Sequence, residues 1–116
     1  MLNVIVVPET TKFKEYVLRE DVVFINLSLG VPRLDTHQVR YVAPCWIEGT
    51  VRGVQRIYHI LNVSNDGDNT LLKLGNSFVL DKVWDAMGQH RVFEYHPLKN
   101  FGYVEVQVGH LMKFKV

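Results

Sequence analysis

The chain has 116 residues, of which 47% are hydrophobic and 22% charged, and its formal net charge is +1. These values are ordinary for a folded globular domain and exclude a disordered, collagen-like or coiled-coil chain, so we expect one domain over residues 1–116. The near balance of 13 basic and 12 acidic residues does not indicate a strongly basic nucleic-acid binder, so any contact with nucleic acid must depend on a local patch.

Neither membrane segments nor disulfide bonds are expected from the sequence. The longest apolar runs, at residues 4–7 and 22–25, are far too short to cross a bilayer, and the first residues do not form a signal sequence. We therefore expect a cytoplasmic protein that does not associate with membranes. Cys45 is the only cysteine, which excludes an intrachain disulfide and a cysteine-based zinc cluster, and its neighbours Pro44 and Trp46 indicate a packed thiol.

The first quarter of the chain is predicted to form a strand, a helix and a second strand. Residues 3–7 are mostly β-branched and are followed by a proline, which is typical of a buried strand. Thr10 or Thr11 can cap a helix that continues to residue 20. A second buried strand is expected at residues 22–27, and the composition of residues 30–37 is that of a loop.

The middle of the chain is predicted to be almost wholly β. Residues 39–46 and 50–64 are extended, and the sequence Asn-Asp-Gly-Asp-Asn at 65–69 is a clear reverse turn, so we expect a hairpin whose return strand covers residues 70–80. Gly75 predicts an irregularity in that return strand, where a bulge or a close backbone approach occurs. Alternation along it points one set of apolar side chains inward: Leu72, Leu74, Phe78 and Leu80.

The last third is predicted to contain a helical turn and three strands. Asp81 can cap a turn through residue 87, which places Trp84 in the core. Residues 91–96 and 101–108 are expected to pair with each other, and residues 111–116 to add an edge strand. In the strand at 101–108, the valines take one face and tyrosine, glutamate and glutamine take the other, which is the pattern of a half-buried strand.

Some seven short strands with two helices predict an α+β domain. The most economical arrangement is a small, partly closed and mostly antiparallel β-barrel with two short helices packed at its ends.

No catalytic or metal-binding motif is apparent. The five histidines are scattered without the spacing of a zinc hydrolase, and the glycines match neither a P-loop nor a dinucleotide fingerprint. Glu94 and Glu105 lie on strands predicted to be adjacent, although exposed strand faces commonly carry such residues. We therefore expect no cofactor and no bound metal.

The stretch of residues 39–63 carries most of the side chains suited to binding. On a curved sheet, one half of them must be core and the other half must face solvent. Trp46 lies at a predicted strand end, where an indole can border a pocket and stack on a base. Arginines are candidates for phosphate contacts, among them Arg33 in the preceding loop. The stretch contains Arg40, Tyr41, Trp46, Arg52, Arg56, Tyr58 and His59.

The order of elements resembles the PUA-like superfamily, especially its ASCH and EVE branches. The resemblance is carried by Tyr-Val-Ala-Pro at 41–44, by Gly-Thr-Val-Arg-Gly-Val-Gln-Arg-Ile-Tyr-His-Ile at 49–60, and by the later segments at 74–80 and 93–95. It implies a pocket near the mouth of the barrel that takes a nucleotide or a modified base. Only the aromatic position matches residue by residue, to Tyr41 and less closely to Trp46.

Three functions follow from these observations. The first is a non-catalytic module that recognises nucleic acid, a modified base or a nucleotide, with Tyr41 and Trp46 stacking and with Arg52, Arg56 and Arg33 contacting phosphate. The second is a small protein-interaction module, accessory or inhibitory, that docks a protein partner by a sheet edge near residues 111–116. The third, implied by the ASCH resemblance, is a small nucleotide or RNA hydrolase.

Overall fold

A computed structural model describes residues 2–9, 24–27, 39–48, 51–66, 69–84 and 94–114. Within these ranges the protein is mostly β, with a mixed sheet of six strands, a separate sheet of two strands and one 3-10 helix. The side chains of residues 8–9, 24–27, 46–48, 51–52, 65–66 and 69 lie outside the described part.

The strands of the larger sheet, which we call the main sheet, lie in the order β2-β5-β4-β3-β1-β6. Its only parallel pair among the described strands joins β1 to β3, and the other neighbours run antiparallel. The second sheet is the hairpin β7–β8. The bounds are β1 Val4–Glu9, β2 Phe24–Leu27, β3 Tyr41–Glu48, β4 Val51–Asp66, β5 Asn69–Trp84, β6 Glu94–His96, the 3-10 helix Leu98–Phe101, β7 Tyr103–Gln107 and β8 His110–Lys113.

The central strands of the main sheet are buried on both faces. In β1 the side chains of residues 4–7 are all buried, which explains why this strand is continuously apolar and does not alternate with polar residues. Val4 and Val6 pack on one face, whereas Ile5 and Val7 pack on the other. Strands β3 and β4 divide in the same way, because Tyr41 and Val42 belong to opposite faces.

The two faces have different cores. One core is built around Tyr58 and Leu72, with Ile5 and Val42 beside them. The other core contains Tyr41 on the sheet, and it is covered by side chains of the 3-10 helix and of β7. These covering side chains are Leu98, Phe101 and Tyr103.

The predicted hairpin in the middle of the chain is confirmed. Strands β4 and β5 are both 16 residues long, and Asp66 pairs with Asn69 next to the turn. The predicted irregularity at Gly75 is also confirmed, since the pairing of the strands shifts between Tyr58 and Ile60 as β5 passes this glycine. A Cβ on Gly75 would lie 3.0 Å from a methyl carbon of Leu61, so glycine lets the two strands approach closely.

The hairpin β7–β8 crosses the face of the main sheet that contains Tyr41. Its inward-facing side chains include the buried Tyr103 and the half-buried Glu105. Val104, Val106 and Val108 instead are exposed by 46%, 57% and 55%. The predicted separation of this strand into two faces is therefore confirmed. The face that carries Tyr103 and Glu105 lies inward, where both side chains form hydrogen bonds to the main sheet.

Two expectations need correction. The prediction of a helical turn from Asp81 is wrong as far as Trp84, because β5 continues through these residues and Trp84 pairs with Val54 on β4. In the described part of the predicted pair, residues 94–96 do not pair with residues 101–108, since β6 pairs with β1 and β7 pairs with β8. The predominance of β-structure is confirmed, and the described strands of the main sheet have β2 and β6 at its edges and form no closed barrel.

The helix predicted at residues 10–20 lies outside the described residues, and within those residues the only helix is the 3-10 helix. No helix in the described part of the chain has the length and apolarity needed to span a membrane.

Because Val42 is buried and Val104 is exposed, the same substitution is expected to affect stability much more at Val42 than at Val104. Val42→Thr places a hydroxyl in a fully buried position and is expected to lower the free energy of unfolding by about 1–3 kcal/mol. Val104→Thr on the exposed face is expected to change it by less than about 0.5 kcal/mol. Urea denaturation of both variants measures the difference, and an equally large loss for Val104→Thr would contradict the described orientation of the hairpin.

Candidate functional site

The structure separates the five site residues predicted from the sequence. Tyr41 is fully buried, so its ring presents no face to solvent on which a base can stack. Arg56 is half-buried on β4, and its guanidinium donates a hydrogen bond to Ser77 Oγ at 3.0 Å. The backbones of Trp46 and Arg52 belong to β3 and β4, but their side chains lie outside the described part, as does all of Arg33.

Tyr41 is the centre of a polar group between the main sheet and the hairpin. Its hydroxyl donates to Glu105 Oε2 at 2.7 Å and accepts from the backbone N–H of Gly109 at 3.0 Å. The other carboxylate oxygen of Glu105 accepts from Arg40 at 3.0 Å. His59 lies opposite Tyr41 on β4, and the two ring centroids are 5.5 Å apart. We call Arg40, Tyr41, His59, Glu105 and Gly109 the Tyr41 cluster.

Gly109 is required in this cluster for two reasons. Its φ of 83° lies in the left-handed region, which glycine adopts most readily. In addition, a Cβ at this position would lie 2.7 Å from Nδ1 of His59, so the imidazole fills the space beside the glycine. The backbone carbonyl of Gly109 also accepts a hydrogen bond from Asn76 at 3.0 Å.

The protonation of the cluster is set by burial. Burial raises the pKa of Tyr41 well above its usual value, and the hydrogen bond to the Glu105 carboxylate raises it further. The phenol therefore stays protonated and keeps donating to Glu105. Burial lowers the pKa of His59, because its charged form loses hydration; the nearby Glu105 opposes this shift, and Arg40 adds to it.

The contacts of the cluster indicate a structural role, which is to attach the hairpin to the main sheet. Both oxygens of Glu105 are engaged, one by a phenol and one by a guanidinium, so its carboxylate is already occupied by two partners. Glu94, which was expected beside Glu105, lies on β6 in the main sheet and close to His96, at 3.9 Å. Among the described residues, His, Cys, Asp and Glu side chains form no group of three that suits a metal ion.

A second feature is a groove at the other end of the hairpin, where β7 begins and β8 ends. It has a volume of about 520 Å³ and lies between the end of β5, the 3-10 helix and the hairpin. This volume falls within the range of small-molecule sites. We call it the aromatic groove; it is lined by Leu80, Asp81, Lys82, Val83, Trp84, Asn100, Phe101, Gly102, Tyr103, Lys113 and Phe114.

Aromatic rings form much of the groove wall. Trp84 packs against Phe101 with ring centroids 5.0 Å apart, and against His96 with centroids 4.9 Å apart. Phe114, which follows β8, also lines the groove and is half exposed. The hydroxyl of Tyr103 donates to the carbonyl of Val79, which fixes the hairpin to β5 beside the groove.

Charged side chains stand at the rim of the groove. Nζ of Lys113 lies 2.5 Å from Oδ1 of Asp81, so this ion pair joins the hairpin to β5. Its hydrogen bond to Asp81 raises the pKa of the Lys113 amine, which keeps the amine charged. Lys82 is also exposed beside the pair. The groove therefore combines flat apolar walls with a cationic rim.

None of these groove residues was predicted as a site residue from the sequence. Trp84 was assigned to the core because the Asp81 capping signal predicted a helical turn. A strand at residues 81–84 would have placed Lys82 and Trp84 on one side of β5, which is a recognisable aromatic and cationic pair. Phe101 and Phe114 reach the groove only through tertiary packing, so no local signal indicates them.

Comparisons with protein-family models, with curated proteins and with solved structures gave no match. The resemblance to the PUA-like superfamily therefore stays a prediction, and function has to be argued from the geometry of the site.

Removing the hydroxyl of Tyr41 tests the structural role of the cluster. Tyr41→Phe deprives both Glu105 and the Gly109 N–H of a partner and is expected to lower the free energy of unfolding by about 1–3 kcal/mol. Tyr95→Phe, on the half-buried strand β6, is the control and is expected to cost less. Denaturation together with amide exchange at Gly109 measures the effect. Unchanged Gly109 protection in Tyr41→Phe would contradict this role.

Proposed function

We propose that this protein is a non-catalytic module of PUA-like fold that recognises nucleic acid, and that a base or a modified base lies in the aromatic groove. The observation that carries the proposal is the combination of aromatic walls and lysines around one groove of suitable volume. Single-stranded nucleic acids are bound through the same combination, in which bases stack on rings and phosphates meet cations.

The aromatic walls supply the stacking surface. Trp84 packs against both Phe101 and His96, and these contacts restrict the orientation of its indole. Such preorganisation lowers the entropic cost of binding. Phe114 lines the same groove and adds a second exposed aromatic ring on which a flat ligand can stack. Stacking of a base on an aromatic ring contributes about 1–3 kcal/mol.

The charges at the rim favour an anionic ligand of modest affinity. Lys82 and Lys113 are the amines closest to the groove, and Asp81 partly neutralises the second of them. Burial raises the pKa of Tyr103 in the groove wall, and the charge of Lys113 lowers it, which shows that the Lys113 charge acts on the groove wall. With a net charge of only +1, we expect no strong non-specific binding at physiological salt.

The groove also changes which predicted residues take part. Tyr41 stabilises the turn end of the hairpin, away from the groove. We therefore assign base stacking to Trp84 and Phe114, which line the groove. Arg56 does not line the groove, and its guanidinium donates to Ser77, so it stays a candidate from the sequence. Trp46, Arg52 and Arg33 stay candidates from the sequence alone.

Fluorescence anisotropy with labelled oligonucleotides tests the proposal directly. We expect binding of single-stranded RNA or DNA at low salt, with an affinity that falls as salt increases because lysine contacts release counterions. The same titration is made with duplexes and with oligonucleotides that carry modified bases. No binding to any of these probes at low salt would refute the proposal.

Paired variants locate the binding site. Phe114→Leu removes a stacking ring and Lys82→Gln removes a rim charge, and each is expected to weaken binding about three- to tenfold. Their controls are Met112→Leu, an exposed residue of β8 that does not line the groove, and Lys73→Gln, an exposed lysine near the far end of β5. Equal losses in the variants and in their controls would place the ligand elsewhere.

One observation favours a second candidate, in which the protein docks a second copy of itself. The outer face of the hairpin is apolar and uncharged, with Val104, Val106 and Met112 all exposed. Strand β8 has one edge without a strand partner among the described residues. Two copies related by a two-fold axis can pair such edges and cover both apolar faces without needing opposite charges.

Sedimentation over a wide concentration range distinguishes this candidate. The chain is expected to dimerise as concentration rises, and Val106→Lys is expected to keep it monomeric, because an outward lysine on an edge hairpin opposes association. A wild-type chain that stays monomeric at every concentration would contradict the self-docking candidate and would leave the nucleic-acid proposal unaffected.

A further inference from the structure

The hairpin β7–β8 takes part in both features of the site. At its turn end, Glu105 and Gly109 belong to the Tyr41 cluster. At its open end, Tyr103, Lys113 and Phe114 form one wall of the aromatic groove. Any change that loosens the hairpin from the main sheet therefore also changes the groove.

Polar contacts hold the turn end of the hairpin. Glu105 accepts hydrogen bonds from Arg40, which immediately precedes β3, and from Tyr41, the first residue of β3. Gly109 donates its N–H to Tyr41 and accepts from Asn76 through its carbonyl. Val106 and Val108 at the turn end are exposed, and the apolar contact nearest to them is the partly buried Leu111, which pairs with Glu105. The turn itself, at Gly109, is therefore attached through this small set of hydrogen bonds.

His59 lies directly beneath this attachment. Its imidazole fills the space beside Gly109 and packs against the ring of Tyr41. Because any Cβ on Gly109 would collide with Nδ1, the turn and the imidazole are in close contact. A change in the charge or hydration of His59 therefore acts on the residue through which the turn is bonded.

Burial outweighs the charged groups that face His59, because Glu105 favours the charged imidazole whereas His110 and Arg40 disfavour it. Arg40 and Tyr41 face it from the β3 side, Glu105 from β7 and His110 from β8. The one carboxylate in this set is already bonded to Arg40 and Tyr41. The two bases in the set, Arg40 and His110, supply no negative charge to His59. The neighbours on β4 and β5 that approach this region are uncharged: Leu61, Gly75 and Asn76.

We infer that the hairpin is a pH-responsive wall of the aromatic groove, in which protonation of His59 loosens the turn at Gly109 from the main sheet. The consequence for ligand affinity rests on the proposed function, because it assumes that the ligand lies in the groove. The loosening itself is a property of the chain without ligand.

The direction of the response follows from the environment of His59. While the hairpin is docked, burial lowers the pKa of the His59 imidazole from its ordinary value of 6.5. When the hairpin lifts, water reaches the ring and the ordinary value returns, so the lifted state binds the proton more tightly. Docking is therefore strongest above pH 6.5 and weakens as the pH falls below that value.

The first test uses the wild-type chain without ligand. Amide exchange is followed by NMR at about pH 7.5 and about pH 5.5 and is corrected for the intrinsic pH dependence of exchange. We expect the protection of the Gly109 amide to fall several-fold at the lower pH, with a midpoint that matches the titration of the His59 ring protons. The amide of Ile57, in the centre of the main sheet, should keep its protection. Constant protection at Gly109 would overturn the inference.

Two histidine variants identify the titrating group. His59→Gln keeps a polar side chain of similar size that does not titrate, and it is expected to abolish the pH response of Gly109. His110→Gln, at an exposed residue of the same hairpin, is the matched control and is expected to retain the response. Retention of the full response in His59→Gln, or its loss only in His110→Gln, would overturn the inference. If His59→Gln does not fold, the wild-type chain still tests the inference, because the midpoint of Gly109 protection must match the titration midpoint of the His59 ring protons.

An oligonucleotide titration at both pH values separates this inference from the proposed function. We expect a several-fold weaker affinity at the lower pH in the wild type and a smaller change in His59→Gln. Binding that occurs equally at both pH values would overturn the coupling and leave the proposed function intact. Absence of binding at either pH would refute the proposed function, whereas the exchange experiment would still report on the hairpin.

Discussion

The carboxylate of Glu105 faces the protein interior, and this constraint determines how the hairpin sits on the main sheet. A half-buried carboxylate requires charge-assisted or strong hydrogen bonds, since its desolvation is costly. Arg40 and Tyr41 supply both at the beginning of β3, where the guanidinium lies at the edge of the core and the phenol lies within it. Once Glu105 points inward, alternation places Tyr103 inward as well and the neighbouring valines outward. The groove wall formed by Tyr103 then follows from the same orientation.

This arrangement gives the protein two kinds of surface on one small hairpin. The inner side carries directional contacts, which fix register and position, whereas the outer side carries apolar side chains that need no partner for folding. The aromatic groove arises where the hairpin meets the end of β5, so its walls come from segments that are distant in sequence. Such a site depends on the tertiary fold and is sensitive to small movements of the hairpin.

Much of the fold was predictable from local patterns. The buried strand at residues 4–7, the long hairpin around residues 65–69 and the irregularity at Gly75 all follow from residue type and alternation, and all are present. Strand pairing was not predictable, because alternation carries no information about which strand lies next to which. The pairing of β6 with β1 joins segments about ninety residues apart, whereas the sequence favoured the local neighbour.

The site was harder to predict than the fold. For the strand at 101–108, alternation defines two faces but does not say which one is inside when a tyrosine and a glutamate compete with valines. The Asp81 capping signal is local, and the pairing of Trp84 with β4 overrides it. Tyr41 was selected for its aromatic ring, but its hydroxyl determines its position. These outcomes depend on distant partners that a single sequence does not reveal.

The position of Cys45 has a practical consequence. It is the only cysteine of the chain, it lies on β3 in the centre of the main sheet, and its side chain is fully buried in the same core as Tyr41. A soluble thiol reagent reaches it only when this part of the structure opens, so its reaction rate under native conditions reports the frequency of such openings. The natural sequence therefore contains a single-site chemical probe of the central sheet, and no engineered label is needed to follow how that sheet opens.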